Sequence, residues 1–600
     1  MLLSSLLDGI FKRRRRASDD QAEALALQQV HRLQHEGDIA GARELCQGIL
    51  SRNPRHAQAH YMLGKLCGQS GELDRAFPHL QQAVALAPDF VGAHIALGNV
   101  HKLRGEAAAA AASYRTALAL DPDCAPAFHN LGLLLKLQGR QEEALSHLKR
   151  AYELAPDLGD ALKEWSLSLV QLGRFEEALE VLNEVLAGQP GFVQALICRG
   201  FVYQKMHHPQ AALSSYEAAL QLETGDAELF NNLAIVLQDL GRLDEALAHY
   251  DKAIALQADP KLRQLPVFHR ALARLLKGDW TAWDDYEARL ESEDSPPRPE
   301  SYPRWYGGDL AGRTILVYGE QGLGDELMFA SCLPQVIAAA GHCVIECSPK
   351  LHGIFSRSFP TATVYAATPG RQVPPENRAG GIDCESPAGS LPRHLRRSAA
   401  AFPQHPGYLR AAPERIAYWR ERLAALGPGL KVGISWQGGT HQTRSPLRSI
   451  PLPQWLPILN AAQAHFGSLQ YGDCHDALGE LAARHGMHVT HWQEAIDDYD
   501  ETAALLCALD LVISVCTAVV HLGGALGRPV WIMAPYCPEW RYGFAGKGMP
   551  WYPSVRVFRQ PSFGEWAPVI ATVASELRAL ERQAVPTRTS SDTMRNPDVI

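Results

Sequence analysis

The feature that most constrains this 600-residue chain is a period of 34 residues in its first half. A small residue lets two helix backbones approach each other, a glycine ends a helix, and a proline begins the next unit. Three in-phase series follow the period: Gly64, Gly98, Gly132, Ser166, Gly200 and Ala234; Ala76, Ala110, Ala144, Ala178, Ala212 and Ala246; Pro54, Pro88, Pro122, Pro156 and Pro190. The period predicts stacked helix hairpins, each covering the apolar stripe of its neighbour.

The side chains within each period resemble the tetratricopeptide repeat. The resemblance rests on residues such as Leu97-Gly98, Tyr114 and Ala117-Leu118 of one copy and Tyr216, Ala219 and Leu220 of another. Gly37 and Ala42 extend the register upstream, and the segment around Gly278, Trp280 and Tyr286 resembles a last copy with a three-residue insertion. The resemblance covers residues 20–290 and implies an α-superhelix whose concave groove holds a peptide or protein partner.

The position two residues before each small residue faces the groove in many such repeats. In this chain it holds Met62, Ala96, Asn130, Glu164, Cys198 and Asn232. O-GlcNAc transferases carry asparagines at such positions, where they hold an extended peptide backbone. Asn130 and Asn232 are therefore candidates for contacts with an acceptor in the groove, or they satisfy only local hydrogen bonds.

The charge and the cysteine content argue against a nucleic-acid-binding protein and against a zinc protein. The 57 Lys and Arg against 65 Asp and Glu give a net charge of −8, which supplies no global attraction for nucleic acid. The 12 cysteines lack zinc-site spacing and are typical of reduced thiols in a cytoplasm. No stretch predicts stable membrane insertion, and residues 1–19 are expected to be a flexible basic terminus.

A Pro- and charge-rich linker, residues 291–304, separates the repeats from a different pattern. Residues 314–318 predict a buried strand, residues 320–325 a glycine-rich turn leading into a helix from Glu326, and residues 343–347 a second strand. This order of elements predicts one Rossmann-like unit over residues 305–427.

The same order restarts over residues 428–582, before a polar tail at 583–600 that is expected to be disordered. Predicted strands at 432–436, 468–471, 511–515 and 529–533 alternate with predicted helices at 455–465, 502–508 and 517–526. Two such units place a ligand cleft at the carboxyl ends of their strands. Neither has the glycine spacing of a dinucleotide-binding fold or a P-loop, which argues against an oxidoreductase and an ATPase.

Three segments of the second half resemble glycosyltransferase family 9, the heptosyltransferase group, in its form fused behind tetratricopeptide repeats. They are residues 320–325, residues 433–438 with 448–452, and residues 510–522; residues 550–553 and 558–560 are similar to the same subgroup. The resemblance implies a GT-B pair of Rossmann-like domains and inverting transfer from a nucleotide-sugar. It implies no metal and no other cofactor.

Asp325 is the candidate catalytic base. It lies in the turn that contains Gly322 and Gly324, and the family's base occupies the matching turn. Glycosyl transfer needs a carboxylate to accept the acceptor's proton. The alternative is a structural role for Asp325 as the N-cap of the following helix.

Thr517 and His521 are candidates for donor contacts at the start of a helix. Free amide groups there favour a phosphate, and His521 lies one turn along the same face. The family has an aspartate where this chain has Cys516, which predicts an altered donor contact or lost activity. A buried structural role for His521 is the alternative.

The remaining donor-side candidates follow the first strand of the second unit. Metal-independent transfer needs positive charge on the diphosphate, and Arg448, with Arg444 nearby, lies where the resembled family has a basic residue for this role. The alternative is a solvated surface arginine. Further candidates for donor contacts are Gly322 and Gly324 in the first glycine turn, Trp436 and Gly438 in the second, and Gln470, at the end of its strand, for the nucleoside. A loop with Trp540, Arg541 and Trp551 either stacks on the donor or packs in the core.

The sequence thus predicts a cytoplasmic glycosyltransferase that modifies a protein acceptor recruited by the repeats, flagellin or another surface protein being candidates. One alternative is a repeat scaffold with a weak or inactive transferase half. The other is a lipopolysaccharide heptosyltransferase-like enzyme acting on a lipid.

Overall fold

The structure is a computed structural model that describes residues 23–157, 159–291, 298, 302–368, 373, 381–439 and 444–584. The expectations for residues 1–19, for most of the linker at 291–304 and for the tail beyond residue 584 lie outside these ranges. Contacts divide the chain into two compact units, Met1–Glu223 and Thr224–Ile600.

The first unit is built from antiparallel helix hairpins. Its helices are α1 (residues 23–35), α2 (Ile39–Arg52), α3 (Ala57–Gln69), α4 (Leu73–Leu86), α5 (Val91–Leu103), α6 (Ala107–Leu120), α7 (Ala125–Leu137), α8 (Gln141–Leu154), α9 (Gly159–Gln171), α10 (Phe175–Gly188), α11 (Val193–Lys205) and α12 (Pro209–Leu220). The 34-residue period therefore corresponds to one helix pair, as predicted.

The small residues of the period lie where two helices approach most closely. A Cβ on Gly98 would lie 2.5 Å from Cε1 of Tyr114, and a Cβ on Gly200 would lie 2.5 Å from Cε1 of Tyr216. A second glycine series closes five of the six hairpins in left-handed backbone: Gly37, Gly71, Gly105, Gly139 and Gly173 have φ from +73° to +80°. In the sixth hairpin His207 takes this position, with φ +60°. The predicted roles of glycine in approach and helix ending are confirmed.

The second unit begins with further repeat helices. They are α13 (Ala227–Asp239), α14 (Leu243–Leu256), α15 (Pro260–Leu276) and α16 (Trp283–Tyr286). Gly278 has φ +86°, three residues later than the period requires, so the inserted last copy is confirmed. The side chains of Trp283 and Tyr286 belong to the same hydrophobic core as Ile315 and Phe329 of the α/β region.

A four-stranded parallel sheet follows, with strand order β3-β2-β1-β4. Its strands are β1 (Thr314–Tyr318), β2 (His342–Cys347), β3 (Thr363–Ala366) and β4 (Cys384–Pro387). The helices around it are α17 (Leu323–Phe329), α18 (Leu333–Ala339), α19 (His352–Ser358), α20 (Pro392–Leu395) and α21 (Pro413–Ala424). The two predicted strands of this unit are confirmed.

A seven-stranded sheet completes the unit, in the order β10-β11-β9-β8-β5-β6-β7, parallel except for the β10–β11 pair. Its strands are β5 (Leu430–Ser435), β6 (Ala464–Ser468), β7 (Val489–His491), β8 (Leu511–Val515), β9 (Val530–Ala534), β10 (Gly548–Met549) and β11 (Tyr552–Arg559). Its helices are α22 (Ser445–Arg448), α23 (Leu456–Leu459), α24 (His475–His485), α25 (Gln493–Asp497), α26 (Tyr499–Ala508), α27 (Ala518–Ala525) and α28 (Ala567–Ala584).

The predicted helix over 455–465 is wrong in its second half, and the strand predicted at 468–471 is wrong except at Ser468, because the strand lies at Ala464–Ser468. The helix α23 ends at Leu459, and Ala464–Ser468 pairs with β5 as strand β6. Pairing against a buried central strand outweighs the helical preference of the alanines. Among the described residues, no helix has the length and apolarity needed to span a membrane.

Candidate functional site

Asp325 lies in the first turn of α17, directly after the carboxyl end of β1. Gly322 is the N-cap of this helix, and its carbonyl accepts a hydrogen bond from the Asp325 amide at 2.9 Å. Asp325 itself lies inside the helix, two residues after its first residue Leu323. The alternative role of Asp325 as the helix N-cap is therefore wrong, and its carboxylate is left for another partner.

That partner is Arg541, which follows β9 in the second sheet. The Nε of Arg541 donates to Oδ1 of Asp325 at 2.5 Å, and its Nη2 contacts the same oxygen. The Arg541 and Asp325 side chains are 20% and 14% exposed. Burial lowers the pKa of Arg541, but the nearby Asp325, Tyr286 and Glu539 together outweigh burial and raise this pKa above its usual range. The pair joins the two sheets of the unit.

Gly324 provides a second junction between the sheets. A Cβ on Gly324 would lie 3.1 Å from Cδ2 of His521 in α27. His521 is buried, and its ring nitrogens lie 3.2 Å from the Tyr552 hydroxyl and 3.3 Å from the Tyr542 hydroxyl. Burial, with the charges of nearby arginines, lowers the pKa of His521 to about 3. The imidazole is thus neutral and enclosed by aromatic side chains.

Thr517 and Cys516 form the turn between β8 and α27. Thr517 is the N-cap of α27 but makes no side-chain cap hydrogen bond; its Oγ1 lies 3.0 Å from Oγ of Ser514. The Cys516 side chain is fully buried, and burial raises its pKa well above the usual range. This position therefore holds a neutral thiol.

The side chain of Gln470 forms hydrogen bonds with the backbone of the turn after β5. Its Oε1 accepts hydrogen bonds from the backbone amides of Trp436 at 3.1 Å and Gln437 at 2.9 Å. Its Nε2 donates to the carbonyls of Gln437 and Tyr471. The structure therefore places the Gln470 amide on this turn, and Trp436 is buried beside it.

Gly438 lies where this turn meets the turn after β8. A Cβ on Gly438 would lie 2.5 Å from the Cys516 carbonyl oxygen and 3.0 Å from Cγ2 of Thr517. Only glycine fits this approach without displacing backbone. The predicted donor-side residues Gly438, Cys516 and Thr517 are thus neighbours.

Arg448 and Arg444 each face a carboxylate. Nη1 of Arg448 contacts Glu539, and Nη2 of Arg444 lies 2.6 Å from Oδ1 of Asp239 at the end of α13. Burial raises the pKa of Asp239, while Arg444 opposes that shift. A repeat helix is thereby tied to the loop after β5.

Arg444, Arg448 and Arg541 line one cavity of about 260 Å³, here named the arginine pocket. The remaining wall comes from the repeat helices and from two loops: Gln238, Phe268, Leu272, Tyr286, Gln321, Leu447, Pro535, Cys537, Pro538, Glu539 and Trp540. Three guanidinium groups at one cavity suit a polyanion such as a diphosphate. In the structure each of the three guanidinium groups forms an ion pair with a carboxylate: Arg444 with Asp239, Arg448 with Glu539 and Arg541 with Asp325.

Sequence reasoning missed the acidic partners Asp239 and Glu539 and the wall residue Tyr286. For Arg541 the sequence predicted either stacking on the donor or packing in the core, because nothing local links this residue to Asp325, 216 residues away. Trp540 and Trp551 pack with Trp283 and Phe329 in the core, which decides between the two roles open for that loop.

The proposed groove residues lie in separate units. Asn130 lines a cavity of about 320 Å³ on the first unit, and its Nδ2 donates to the Pro126 carbonyl at 2.9 Å. Asn232 is half-buried in α13 of the second unit. Met62 and Cys198, in the same repeat position, are buried, so the expectation that this position faces the groove is wrong for them.

The fold is that of a tetratricopeptide-repeat superhelix followed by two Rossmann-like α/β domains. Models described as tetratricopeptide repeat match residues 27–89, 69–132, 125–158 and 227–260.

Among known proteins, the chain is similar to Protein FlbA of Caulobacter vibrioides, with 33% identity over 380 residues. The match covers 60% of this chain and 63% of FlbA, so the chain spans less than two thirds of that relative. The human Protein O-mannosyl-transferase TMTC3 is 34% identical over 110 residues, which are 18% of this chain and 12% of TMTC3.

Solved structures of repeat proteins are also similar. A tetratricopeptide repeat protein from Parabacteroides merdae aligns with a TM-score of 0.35 and 16% identity, over 41% of this chain and 97% of its own. The structure of PilF from Pseudomonas aeruginosa aligns with a TM-score of 0.29 and 23% identity, over 35% and 95%.

Proposed function

We propose that this chain is an inverting, metal-independent glycosyltransferase that moves a sugar from a nucleotide-sugar to a protein acceptor. The observation that carries the proposal is the arginine pocket, which lies beside the Asp325 carboxylate at the carboxyl ends of strands from both sheets. This is where parallel α/β folds bind ligands. The GT-B assignment rests on the family 9 motifs.

In the proposed reaction, Asp325 accepts the proton of the acceptor's hydroxyl group as that oxygen attacks the anomeric carbon. The bond between the anomeric carbon and the diphosphate oxygen breaks, and its electron pair leaves with the diphosphate. Arginine charge stabilises the leaving group without a metal ion. Inversion follows because the attacking and leaving oxygens lie on opposite faces of the sugar.

A protein acceptor is proposed because the repeats form long surfaces of the kind that bind peptides. The similar human protein TMTC3 is a protein O-mannosyl-transferase, which supports a link between such repeats and protein glycosylation. Flagellin or another surface protein, modified in the cytoplasm, is the acceptor that the family resemblance favours.

The test uses the purified full chain, candidate acceptors, and UDP-, GDP-, ADP- and CMP-sugars, with intact-mass measurement of the acceptor. We expect Asp325→Asn to lower transfer by about 10²–10⁴-fold, the usual contribution of a general base. Asp476→Asn is the matched control because Asp476 is an exposed aspartate in the first turn of α24. Equal transfer by Asp325→Asn and the wild type would falsify the assignment.

A second candidate is a repeat scaffold with an inactive transferase half. Buried, neutral Cys516 favours it, because the resembled family has an aspartate there. If no nucleotide-sugar of the panel shifts the melting temperature or is hydrolysed, the scaffold is supported. Activity of the full chain on lipid acceptors, with none on protein acceptors, would instead support a heptosyltransferase-like enzyme.

A further inference from the structure

In the structure, the proposed base Asp325 is paired with Arg541 and is therefore not free to act in the proposed reaction. The inference that follows rests on that proposed reaction. The Oδ1 atom of Asp325 is contacted by both Nε and Nη2 of Arg541, so this oxygen is not free to accept the acceptor's hydroxyl group. The base and its partner come from different sheets, and both side chains are mostly buried. A catalytically competent Asp325 needs this contact to be loosened.

Arg541 also lines the arginine pocket. Its guanidinium carbon lies 5.1 Å from the centre of the Trp540 ring, so the indole supports the guanidinium from one side. A diphosphate carries more negative charge than one carboxylate and has several oxygens for the planar guanidinium fork. A diphosphate in the pocket would therefore compete with Asp325 for Arg541.

We propose that Arg541 is a ligand of the donor's diphosphate group and that it exchanges Asp325 for this group when the donor binds. Donor binding then supplies charge to the leaving group and frees the base in one step. In the absence of donor, the Asp325 oxygen stays occupied by Arg541 and does not contact the acceptor's hydroxyl group. Arg541 thus couples the presence of the donor to the availability of Asp325.

The exchange predicts that replacing Asp325 raises the affinity for a diphosphate, whereas loss of a binding-site residue usually lowers it. Removing the competing carboxylate charge should tighten diphosphate binding, although the same variant loses transfer. A residue with a structural role alone would weaken binding or leave it unchanged when replaced. The probe is a nucleoside diphosphate, UDP, GDP, ADP or CDP, titrated into the full chain by calorimetry.

We expect Asp325→Asn to bind its preferred nucleoside diphosphate about tenfold more tightly than the wild type, and Arg541→Gln about tenfold more weakly. Asp476→Asn should bind like the wild type. In the double variant, Asp325→Asn should give no gain over Arg541→Gln alone, because the competition acts through Arg541. Circular dichroism confirms that each variant is folded.

Unchanged or weaker binding by Asp325→Asn, or a gain that persists in the double variant, overturns the exchange while the proposed transferase stands. Absence of diphosphate binding by both the wild type and Asp325→Asn overturns the proposed function as well. If Asp325→Asn does not fold, Arg541→Lys serves: its binding should lie between the wild type and Arg541→Gln. Wild-type affinity in both Arg541 variants overturns the inference.

Discussion

At the scale of single residues, His521 shows how strongly burial changes the chemistry of one side chain. Its imidazole is enclosed by Tyr542 and Tyr552 and keeps its neutral form. The unfolded chain protonates this histidine near the ordinary value of 6.5, whereas the folded chain does so only near a pH of about 3. Between these values the unfolded state binds more protons, so stability falls as the pH falls.

We predict that lowering the pH from about 7.5 to about 5.5 reduces the free energy of unfolding of the wild type by about 1.4 kcal/mol more than that of His521→Gln. The reason is that the wild type takes up one proton at His521 when it unfolds. Urea unfolding followed by tryptophan fluorescence measures the difference. His485→Gln is the control because His485 is exposed at the end of α24. An identical pH dependence of the wild type and His521→Gln would contradict the prediction.

The sequence led to Asp325, Thr517 and Arg448 because each lies in a motif next to a strand end. It could not lead to the pairing of Asp325 with Arg541, or of Arg448 with Glu539, 91 residues away. The first pairing depends on how the two sheets meet and the second on how two loops of the seven-stranded sheet meet, and no local spacing encodes either. Gln470 lies outside the motifs, and nothing in its local sequence indicates that its amide holds the turn after β5.

At the scale of elements, the hairpin spacing was predictable because it repeats. Six copies place Gly98 and its equivalents in one phase, and the tight contact with Tyr114 explains the restriction. The helix predicted to run from Trp455 to His465 was wrong in its second half. Residues 464–468 form a strand because they pair with β5, and this tertiary contact is not visible in the local sequence. The short strands β7 and β10 and the helix α28 were likewise absent from the sequence prediction.

Gly98→Ala tests this reading of the hairpins. The added methyl group would lie 2.5 Å from the Tyr114 ring, so we expect a loss of about 1–3 kcal/mol of stability through overpacking. Gly48→Ala in α2 is the matched control, because a Cβ there has no atom within 4 Å, and it should gain about 0.5–1 kcal/mol from helix propensity. Urea midpoints of the helical dichroism signal measure both effects, and equal midpoints would rule out the close-approach role.

At the scale of the whole molecule, the last repeat helices are part of the α/β core. Trp280, Trp283 and Tyr286 belong to the same hydrophobic cluster as Ile315 and Trp551. Backbone groups add to this attachment: the Phe544 amide donates to the Leu276 carbonyl at 2.8 Å, and Nε1 of Trp283 donates to the Arg396 carbonyl at 3.0 Å. The contacts thus place residues 224–290 with the α/β sheets, although their sequence belongs to the repeats.

We therefore predict that a fragment of residues 224–600 is folded, whereas a fragment of residues 302–600 aggregates or lacks fixed tertiary structure. The shorter fragment loses Trp283 and Tyr286, and burial of each large side chain contributes about 1.5–3 kcal/mol. That loss is a large part of a typical stability of about 5–15 kcal/mol.

A fragment of residues 189–600, which adds the helices α11 and α12, should melt like the 224–600 fragment. Near-ultraviolet dichroism and thermal melts make the comparison; equal melting of the 302–600 and 224–600 fragments would show that the repeats only dock onto an independent α/β domain.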